Sequence, residues 1–164
     1  MKIKRKTIPQ GMKTLKYSWS QFDRDVYTLV DRMTRDGFKP RSIVCIATGG
    51  LCLGAKLRNT LKLPLTIIST ASYSGIQRQK TLTLNSSYVV PLQSPVLVVD
   101  DVADSGRTLT IVKEHLQLGG IEVRTATLFY KETSIIKPDW YLHKSNRWLV
   151  FPWENGNKKT SIIV

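Results

Sequence analysis

Apolar and polar positions follow two different periods along this chain, and the two periods alternate. Short apolar runs predict buried strands at Ser42–Ala47, Leu65–Thr70, Val96–Val99 and Ile121–Phe129. Apolar residues at helical spacing predict helices from Ser18 or Ser20 to Gly37, from Leu51 to Leu61, and from Leu109 to Gly119. Strands that alternate with helices favour an α/β fold with a mostly parallel sheet and right-handed crossovers.

The stretch from Val96 to Leu109 combines the end of a strand, adjacent carboxylates and a loop that opens a helix. Ligands of open α/β sheets bind beyond the carboxyl ends of the strands, and the first N–H groups of a helix hold phosphate. Paired carboxylates suit a sugar diol or a magnesium ion. The stretch therefore predicts a site for a ligand with a phosphate at one end and a diol with magnesium beside it. Its polar residues and its glycine are Asp100, Asp101, Asp104, Ser105, Gly106 and Thr108.

Each of these residues also has a plainer explanation when it is taken alone. A pair of aspartates after a strand is often a solvated turn, and Asp104 or Ser105 is a common type of helix N-cap. The ordered combination of strand, acids, hydroxyl-and-glycine loop and helix is much harder to explain in that way. We therefore favour the ligand site.

The run Val98–Thr108 resembles the phosphoribosyl-pyrophosphate (PRPP) signature of type I phosphoribosyltransferases, and most closely that of their 6-oxopurine branch. The resemblance extends over roughly residues 17–154. It implies the type I fold, in which helices flank a mostly parallel sheet and a small C-terminal hood binds the base. It also implies that Mg²⁺ is a cofactor held at Asp100 and Asp101, with PRPP bound by those two residues and by Asp104, Ser105, Gly106, Arg107 and Thr108.

A second unit of strand, glycine loop and helix contains the sequence Thr48-Gly49-Gly50. Adjacent glycines can present N–H groups to an anion, although a plain tight turn explains them equally simply. The resemblance places a pyrophosphate loop here and so assigns Thr48, Gly49 and Gly50 to PRPP binding. Related enzymes usually carry an arginine where this chain has Thr48, and Lys56 or Arg58 is a candidate to replace that cation.

A polar segment over residues 71–80 lacks periodicity and precedes two predicted strands, Thr81–Leu84 and Tyr88–Leu92. An ordinary surface hairpin would look the same. In the family that the signature resembles, a flexible loop with a Ser-Tyr pair at its base closes over PRPP, and Ser72 and Tyr73 match that pair. The resemblance therefore implies a lid that excludes water from the reacting sugar.

The resemblance also assigns the half of the site that binds the purine. Lys131 matches a lysine that donates to the purine O6, although a lysine just past a strand is usually solvated. Trp148 matches the aromatic residue that stacks on the purine, and Leu149 lies where backbone groups read the edge of the base. Asp104 is expected to be the catalytic residue, which manages the proton at N7 while N9 attacks the sugar.

These assignments predict an enzyme of purine salvage that transfers a 5-phosphoribosyl group from PRPP to guanine, xanthine or hypoxanthine. Its partners would be PRPP and the base. Because members of this family are usually dimeric or tetrameric, the resemblance implies a homodimer or homotetramer. The alternative is a regulatory protein on the same fold that is catalytically weak or inactive, binds PRPP or nucleotide as a signal and touches nucleic acid. A pyrimidine phosphoribosyltransferase would need a different base pocket.

Charge is the one unusual feature of the composition. The 164 residues include 25 lysines and arginines against 12 acids, a formal net charge of +13. Such a positive charge attracts phosphorylated small molecules and nucleic acid alike. It therefore does not distinguish the enzyme from the regulatory protein. We divide the single predicted domain into a basic segment at 1–16, the phosphoribosyltransferase domain at 17–154 and a tail at 155–164. The basic segment is expected to be a solvated tail or an arm for nucleic acid.

Two further observations concern the compartment. No apolar run approaches the ~20 residues that cross a bilayer, and the N-terminus lacks the apolar core of a secretory signal. Cys45 and Cys52, the only cysteines, have neither a metal-binding spacing nor the pattern of a disulfide framework. We therefore expect a cytoplasmic protein with no membrane partner.

Overall fold

A six-stranded sheet forms the centre of the protein, and a two-stranded sheet lies beside it. The computed structural model describes residues 11, 13–72, 82–86 and 91–154. The strands in chain order are β1 (Thr14–Lys16), β2 (Ser42–Ala47), β3 (Leu65–Ser72), β4 (Leu82–Ser86), β5 (Val96–Ala103), β6 (Val123–Tyr130), β7 (Trp140–Lys144) and β8 (Trp148–Val150).

The large sheet has the strand order β4-β3-β2-β5-β6-β7. Its strands pair in parallel except for β3 and β4, which are antiparallel. Because β2 and β5 are neighbours and parallel, their carboxyl ends meet at one edge of the sheet near its middle. The predicted α/β class with a mostly parallel sheet is therefore confirmed.

Helices cover both faces of the large sheet. The helices α1 (Trp19–Arg35) and α2 (Leu51–Leu61) pack on one face, and α3 (Arg107–Leu118) packs on the other. Successive side chains of β5 alternate between these two cores, because a strand points its residues to opposite faces. Leu97 and Val99 join the core with α1 and α2, whereas Val96 and Val98 join the core with α3.

The first helix begins with a capping box. The Ser18 side chain accepts a hydrogen bond from the N–H of Gln21, and the Gln21 side chain accepts one from the N–H of Ser18. Ser18 is therefore the cap, of the two serines that the sequence offered. The helix ends at Arg35, and Gly37 follows in the left-handed conformation with φ at 72°.

The small sheet brings the two ends of the described chain together. β1 pairs in parallel with β8, so that Thr14 lies opposite Trp148, and the Tyr17 N–H continues the ladder by donating to the Val150 carbonyl at 3.0 Å. A short 3₁₀ helix, Pro152–Glu154, follows β8. The Tyr17 ring then packs against Phe129 of the large sheet at a centroid distance of 5.2 Å.

Several elements differ from their predicted bounds. β5 continues past Val99 to Ala103, because its pairing with β6 continues and places Asp100 opposite Thr127. The sequence over 14–16 showed no strand pattern, and β1 forms there only through its partner. Residues 88–90 of the predicted strand Tyr88–Leu92 lie outside the described residues, and its last two residues are not in a strand. Across the described ranges, every helix is too short or too polar to cross a bilayer.

Candidate active site

The carboxyl ends of β2 and β5 form the floor of the candidate site. Asp101, near the end of β5, is 8% exposed, and its N–H donates to the Asp100 carboxylate at 2.9 Å. The Asp101 carboxylate lies directly against Gly49: a Cβ added at that glycine would stand 2.7 Å from both carboxylate oxygens. Only glycine allows this approach, so the loop after β2 and the end of β5 form one surface.

The loop of Thr48, Gly49 and Gly50 connects β2 to α2, and the Ala47–Thr48 peptide bond in it is cis. A Cβ at Gly50 would stand 2.7 Å from the Val99 carbonyl oxygen, so Gly50 is buried against the backbone of β5. Thr48 and Gly49 therefore face the site, and Gly50 supports the loop from behind.

The loop before α3 ends in a glycine that a larger residue could not replace. Gly106 is the N-cap of α3 with φ at 75°, and a Cβ there would collide with the Ser134 hydroxyl. The Ile135 N–H donates to the Ser105 carbonyl at 3.0 Å, which ties this loop to the segment after β6. The N-cap position is held by Gly106 and not by Asp104 or Ser105, although the Ser105 hydroxyl accepts a long hydrogen bond from the Arg107 N–H at 3.5 Å.

An ion pair joins the two predicted halves of the site. The Lys131 ammonium lies 2.9 Å from an Asp104 carboxylate oxygen. The Lys131 side chain is only 12% exposed, whereas that of Asp104 is 62% exposed. The Lys131 N–H donates to the Ala103 carbonyl at 3.1 Å, which fixes the backbone of this lysine beside the end of β5.

Two adjoining cavities surround this ion pair. One, of about 250 Å³, opens over the carboxyl ends of β2 and β5 and includes Thr48, Gly49, Asp100 and Thr108 in its lining. The other, of about 100 Å³, lies between Lys131 and β8. Four residues line both cavities: Asp101, Val102, Asp104 and Glu154. The two cavities therefore form one continuous site.

The smaller cavity contains the residues predicted to bind a base. Half-buried Trp148 and buried Leu149, both on β8, lie in its wall with Lys131. Phe151, which is 2% exposed, completes the apolar part of the wall. The cavity thus combines aromatic and aliphatic surface with one cation and with carboxylates.

Other predicted residues lie at the margin of the site or apart from it. Ser105 and Arg107 are exposed at the start of α3 and line neither cavity. Ser72 is the last residue of β3, and Tyr73 lies outside the described residues, so the predicted lid stays a prediction.

Neither candidate for the missing cation lines the site. The Lys56 ammonium pairs with Asp23 at 2.7 Å on the outer side of α1 and α2. Arg58 borders a separate surface cavity with Lys62. Within the described ranges, the cavity that includes Thr48 therefore has no lysine or arginine in its wall.

Sequence reasoning missed Glu154. This residue borders both cavities, and its carboxylate accepts a hydrogen bond from the Phe151 N–H at 3.2 Å. The only signal in the sequence was an acid at the end of the aromatic run that begins at Trp148. Such a signal does not separate a site residue from a solvated one.

Both cysteines lie near the acidic floor and have suppressed acidity. Burial, and then the negative charge of Asp100, raise the pKa of Cys45 to about 11. Burial, and then the charge of Asp101, raise the pKa of Cys52. Both thiols are free and stay protonated near neutral pH, so neither suits a nucleophile.

The charge of the larger cavity fits a magnesium-bound anion. Four carboxylates border it, from Asp100, Asp101, Asp104 and Glu154. No three metal-ligating side chains in the described ranges are grouped closely enough to hold a metal by themselves. Mg²⁺ commonly binds through one or two carboxylates together with substrate phosphates, and the residues present fit that mode.

Comparison with known proteins agrees with this geometry. The phosphoribosyl transferase domain family matches the chain over residues 17–159. A xanthine-guanine phosphoribosyltransferase of Nitratidesulfovibrio vulgaris is 28% identical over an alignment of 153 residues that covers 91% of this chain and 90% of that protein.

Two solved structures share the fold over nearly their whole length. A purine phosphoribosyltransferase from Pyrococcus horikoshii superimposes with a TM-score of 0.77 at 29% identity and covers 91% of this chain and 99% of its own. A Helicobacter pylori xanthine-guanine-hypoxanthine phosphoribosyltransferase has a TM-score of 0.77 at 28% identity, over 87% of this chain and 94% of its own. The chain belongs to the phosphoribosyl transferase domain family, and the predicted resemblance to it is confirmed.

Proposed function

We propose that this protein transfers the 5-phosphoribosyl group of PRPP to a 6-oxopurine, releasing the nucleoside 5′-monophosphate and pyrophosphate in purine salvage. The observation that carries the proposal is the continuity of the two cavities through Asp101, Val102, Asp104 and Glu154. A transferase needs its two substrates in contact, and here a cavity lined by carboxylates and a glycine loop adjoins a cavity lined by aromatic residues. The names of the relatives, which are purine and xanthine-guanine enzymes, support the same reaction.

The bond changes define what the protein must do. The bond from the sugar C1′ to pyrophosphate breaks, the bond from C1′ to the purine N9 forms, and a proton leaves the imidazole ring. Positive charge develops at C1′ in between, so nearby carboxylates stabilise the transition state. In the proposal, Asp100 and Asp101 hold the ribose hydroxyls, and the start of α3 with Thr108 holds the 5′-phosphate.

Asp104 and Lys131 have paired roles in the proposal. Asp104 accepts the proton at the purine N7, and Lys131 donates to the exocyclic oxygen O6. A 6-oxopurine offers an acceptor at O6 beside a protonated ring nitrogen, which matches an ammonium and a carboxylate 2.9 Å apart. Adenine offers an amino group in place of O6, so a hydrogen-bond donor would face the Lys131 ammonium where the proposal needs an acceptor.

Magnesium is part of the proposal because PRPP and the cavity floor are both negative. The ion would be held by Asp100 and Asp101 together with substrate oxygens, and Glu154 borders the same cavity. When bound, it would neutralise the leaving pyrophosphate. Homodimeric or homotetrameric assembly is proposed by analogy with the family.

The substitution Asp104→Asn tests the role of the central carboxylate. We expect the kcat with hypoxanthine to fall by roughly a hundredfold or more, since a general base contributes about 10²–10⁴. Asp31→Asn is the matched control, because among the described residues Asp31 pairs only with Arg35, in an exposed ion pair on α1. Steady-state rates with PRPP and magnesium measure both variants. Unchanged turnover in Asp104→Asn would exclude the assigned role.

A further inference from the structure

A further cavity bordered by described residues lies outside the candidate active site. It has a volume of about 710 Å³ and opens between β1 and the segment that connects β7 to β8. We call it the β1 cavity, and none of its lining residues borders either active-site cavity. Its size lies within the range of roughly 300–1,000 Å³ that small-molecule sites occupy.

Unpaired positive charge lies at the rim of the β1 cavity. Lys16 and Arg147 are both exposed, and neither makes an ion pair with another described residue. Lys144, a third cation in the lining, is paired with Glu132. The rim of the cavity therefore has two cations that could bind an anion.

Behind the cavity wall lies the acid Asp25, which does not line the cavity and whose carboxylate contacts two lining residues, Tyr17 and His143. Asp25 is 16% exposed and accepts a hydrogen bond from the Tyr17 hydroxyl at 2.6 Å. The Nε2 atom of His143 lies 2.5 Å from the same carboxylate oxygen. Burial and the hydrogen bond to Asp25 raise the pKa of Tyr17, so its hydroxyl stays protonated and continues to donate.

The chain offers no acidic segment of its own to fill the cavity. Residues 1–12 contain four cations and no acid, and residues 155–164 contain two cations and no acid. A second copy carries the same net charge of +13, which opposes its docking at this cationic rim. The complementary occupant is an anion from outside the protein.

The floor of the cavity distinguishes between small and polymeric anions. Single-stranded nucleic acid binds by stacking its bases on exposed aromatic faces. Tyr17 and Phe129 are the aromatic rings other than His143 in the lining, and they are 4% and 2% exposed. The cavity thus offers little stacking surface, and it is concave and of ligand size.

We propose that the β1 cavity binds a phosphorylated small molecule through Lys16 and Arg147, and that its occupancy alters affinity for the purine. The coupling follows from the wall between the two sites. Phe129 lines the β1 cavity, Phe151 lines the base cavity, and their ring centroids are 5.7 Å apart. Arg147 also directly precedes Trp148, and Tyr17 packs on both phenylalanines.

Inorganic tripolyphosphate is a suitable probe, because it carries phosphate charge without a base or a sugar. Its binding is measured by calorimetry on the full chain saturated with PRPP and magnesium, so that the active site is occupied. The test variant is Lys16→Gln with Arg147→Gln. The matched control is Lys39→Gln with Arg41→Gln. It also removes one lysine and one arginine charge, but before β2, at the opposite end of the sheet.

We expect the wild type and the control to bind the probe equally, and the test variant to bind about tenfold or more weakly, since two charge-assisted contacts are lost. The charge-preserving swap Lys16→Arg with Arg147→Lys should retain binding and shows that the site remains folded. Equal weakening in both Gln variants, or no binding once PRPP is present, would overturn the site. Tight binding of a single-stranded oligonucleotide in place of tripolyphosphate would overturn the ligand class.

The coupling rests on the proposed function and has its own readout. At saturating PRPP, the probe should change the KM for hypoxanthine at least threefold in the wild type and in the control, but not in the test variant. An unchanged KM despite calorimetric binding would overturn the coupling. Because the calorimetry needs no turnover, an inactive protein would count against the proposed function without affecting the test of the site.

Discussion

The contact between Gly49 and Asp101 shows how one residue can define a site. The glycine has no side chain, so the carboxylate of the next strand can lie within van der Waals reach of its backbone. The buried carboxylate is then held in one place at the floor of the cavity. This pair joins the predicted pyrophosphate loop to the predicted ribose-binding acids.

Gly49→Ala should therefore damage binding more than folding. The new methyl group would displace the Asp101 carboxylate, and such overpacking costs about 1–3 kcal/mol. We expect the KM for PRPP to rise roughly tenfold in steady-state assays, with cooperative unfolding retained. Gly119→Ala is the control, because its nearest neighbour would be the Leu116 carbonyl at 3.3 Å, far from the site. Equal PRPP affinity in both variants would contradict this account.

At the residue scale, most residues that border the two cavities were named from the sequence as candidates, but their contacts were not. Asp104, Lys131 and Trp148 were assigned through the resemblance, because neither a loop nor a strand of three residues carries a period from which a position can be derived. The ion pair of Asp104 with Lys131 depends on how the ends of β5 and β6 align. Glu154 was missed because its position depends on the turn after β8.

The unit of β2, its glycine loop and α2 is the element that departs most from the family pattern. Its bounds, Ser42–Ala47 and Leu51–Leu61, agree with the prediction, because both segments have clear periods. The loop between them carries Thr48 where related enzymes usually have an arginine. The cavity at this loop has carboxylates in its wall but no cation from the described residues.

Supplying the missing cation should strengthen substrate binding. We expect Thr48→Arg to lower the KM for PRPP roughly tenfold, since a hydrogen bond to a charged group contributes about 1.5–3 kcal/mol. Asn59→Arg adds the same charge at an exposed position of α2 and controls for long-range attraction. A rise in the KM of Thr48→Arg, or equal effects of the two variants, would show that the pyrophosphate does not contact this loop.

Other elements show where pattern reasoning ends. β5 runs four residues beyond its apolar core, because hydrogen bonding to β6 holds polar residues such as Asp100 in the strand. β1 has only three residues, too few to show an alternation, and its partner β8 is distant in sequence. Pairing between distant segments depends on the tertiary structure, so it cannot be predicted from local periodicity.

At the scale of the whole molecule, the charges are segregated. The chain is strongly basic, yet four of its twelve acids border the larger active-site cavity. A positive surface attracts an anionic substrate from a distance, while a negative floor accepts it only together with a cation. This arrangement suits a magnesium-bound phosphate ester. The unpaired cations of the β1 cavity are a separate feature, which the reaction does not use.

In the proposed reaction, a 6-oxopurine and PRPP react across the Asp104–Lys131 pair. The most direct measurement is product formation from PRPP and magnesium with guanine, xanthine, hypoxanthine or adenine, followed by chromatography of the nucleotide. We predict the 5′-monophosphate of at least one 6-oxopurine, with equimolar pyrophosphate, and at least a hundredfold lower kcat/KM with adenine. Turnover of adenine at an equal rate, or no nucleotide from any of the oxopurines, would contradict the account.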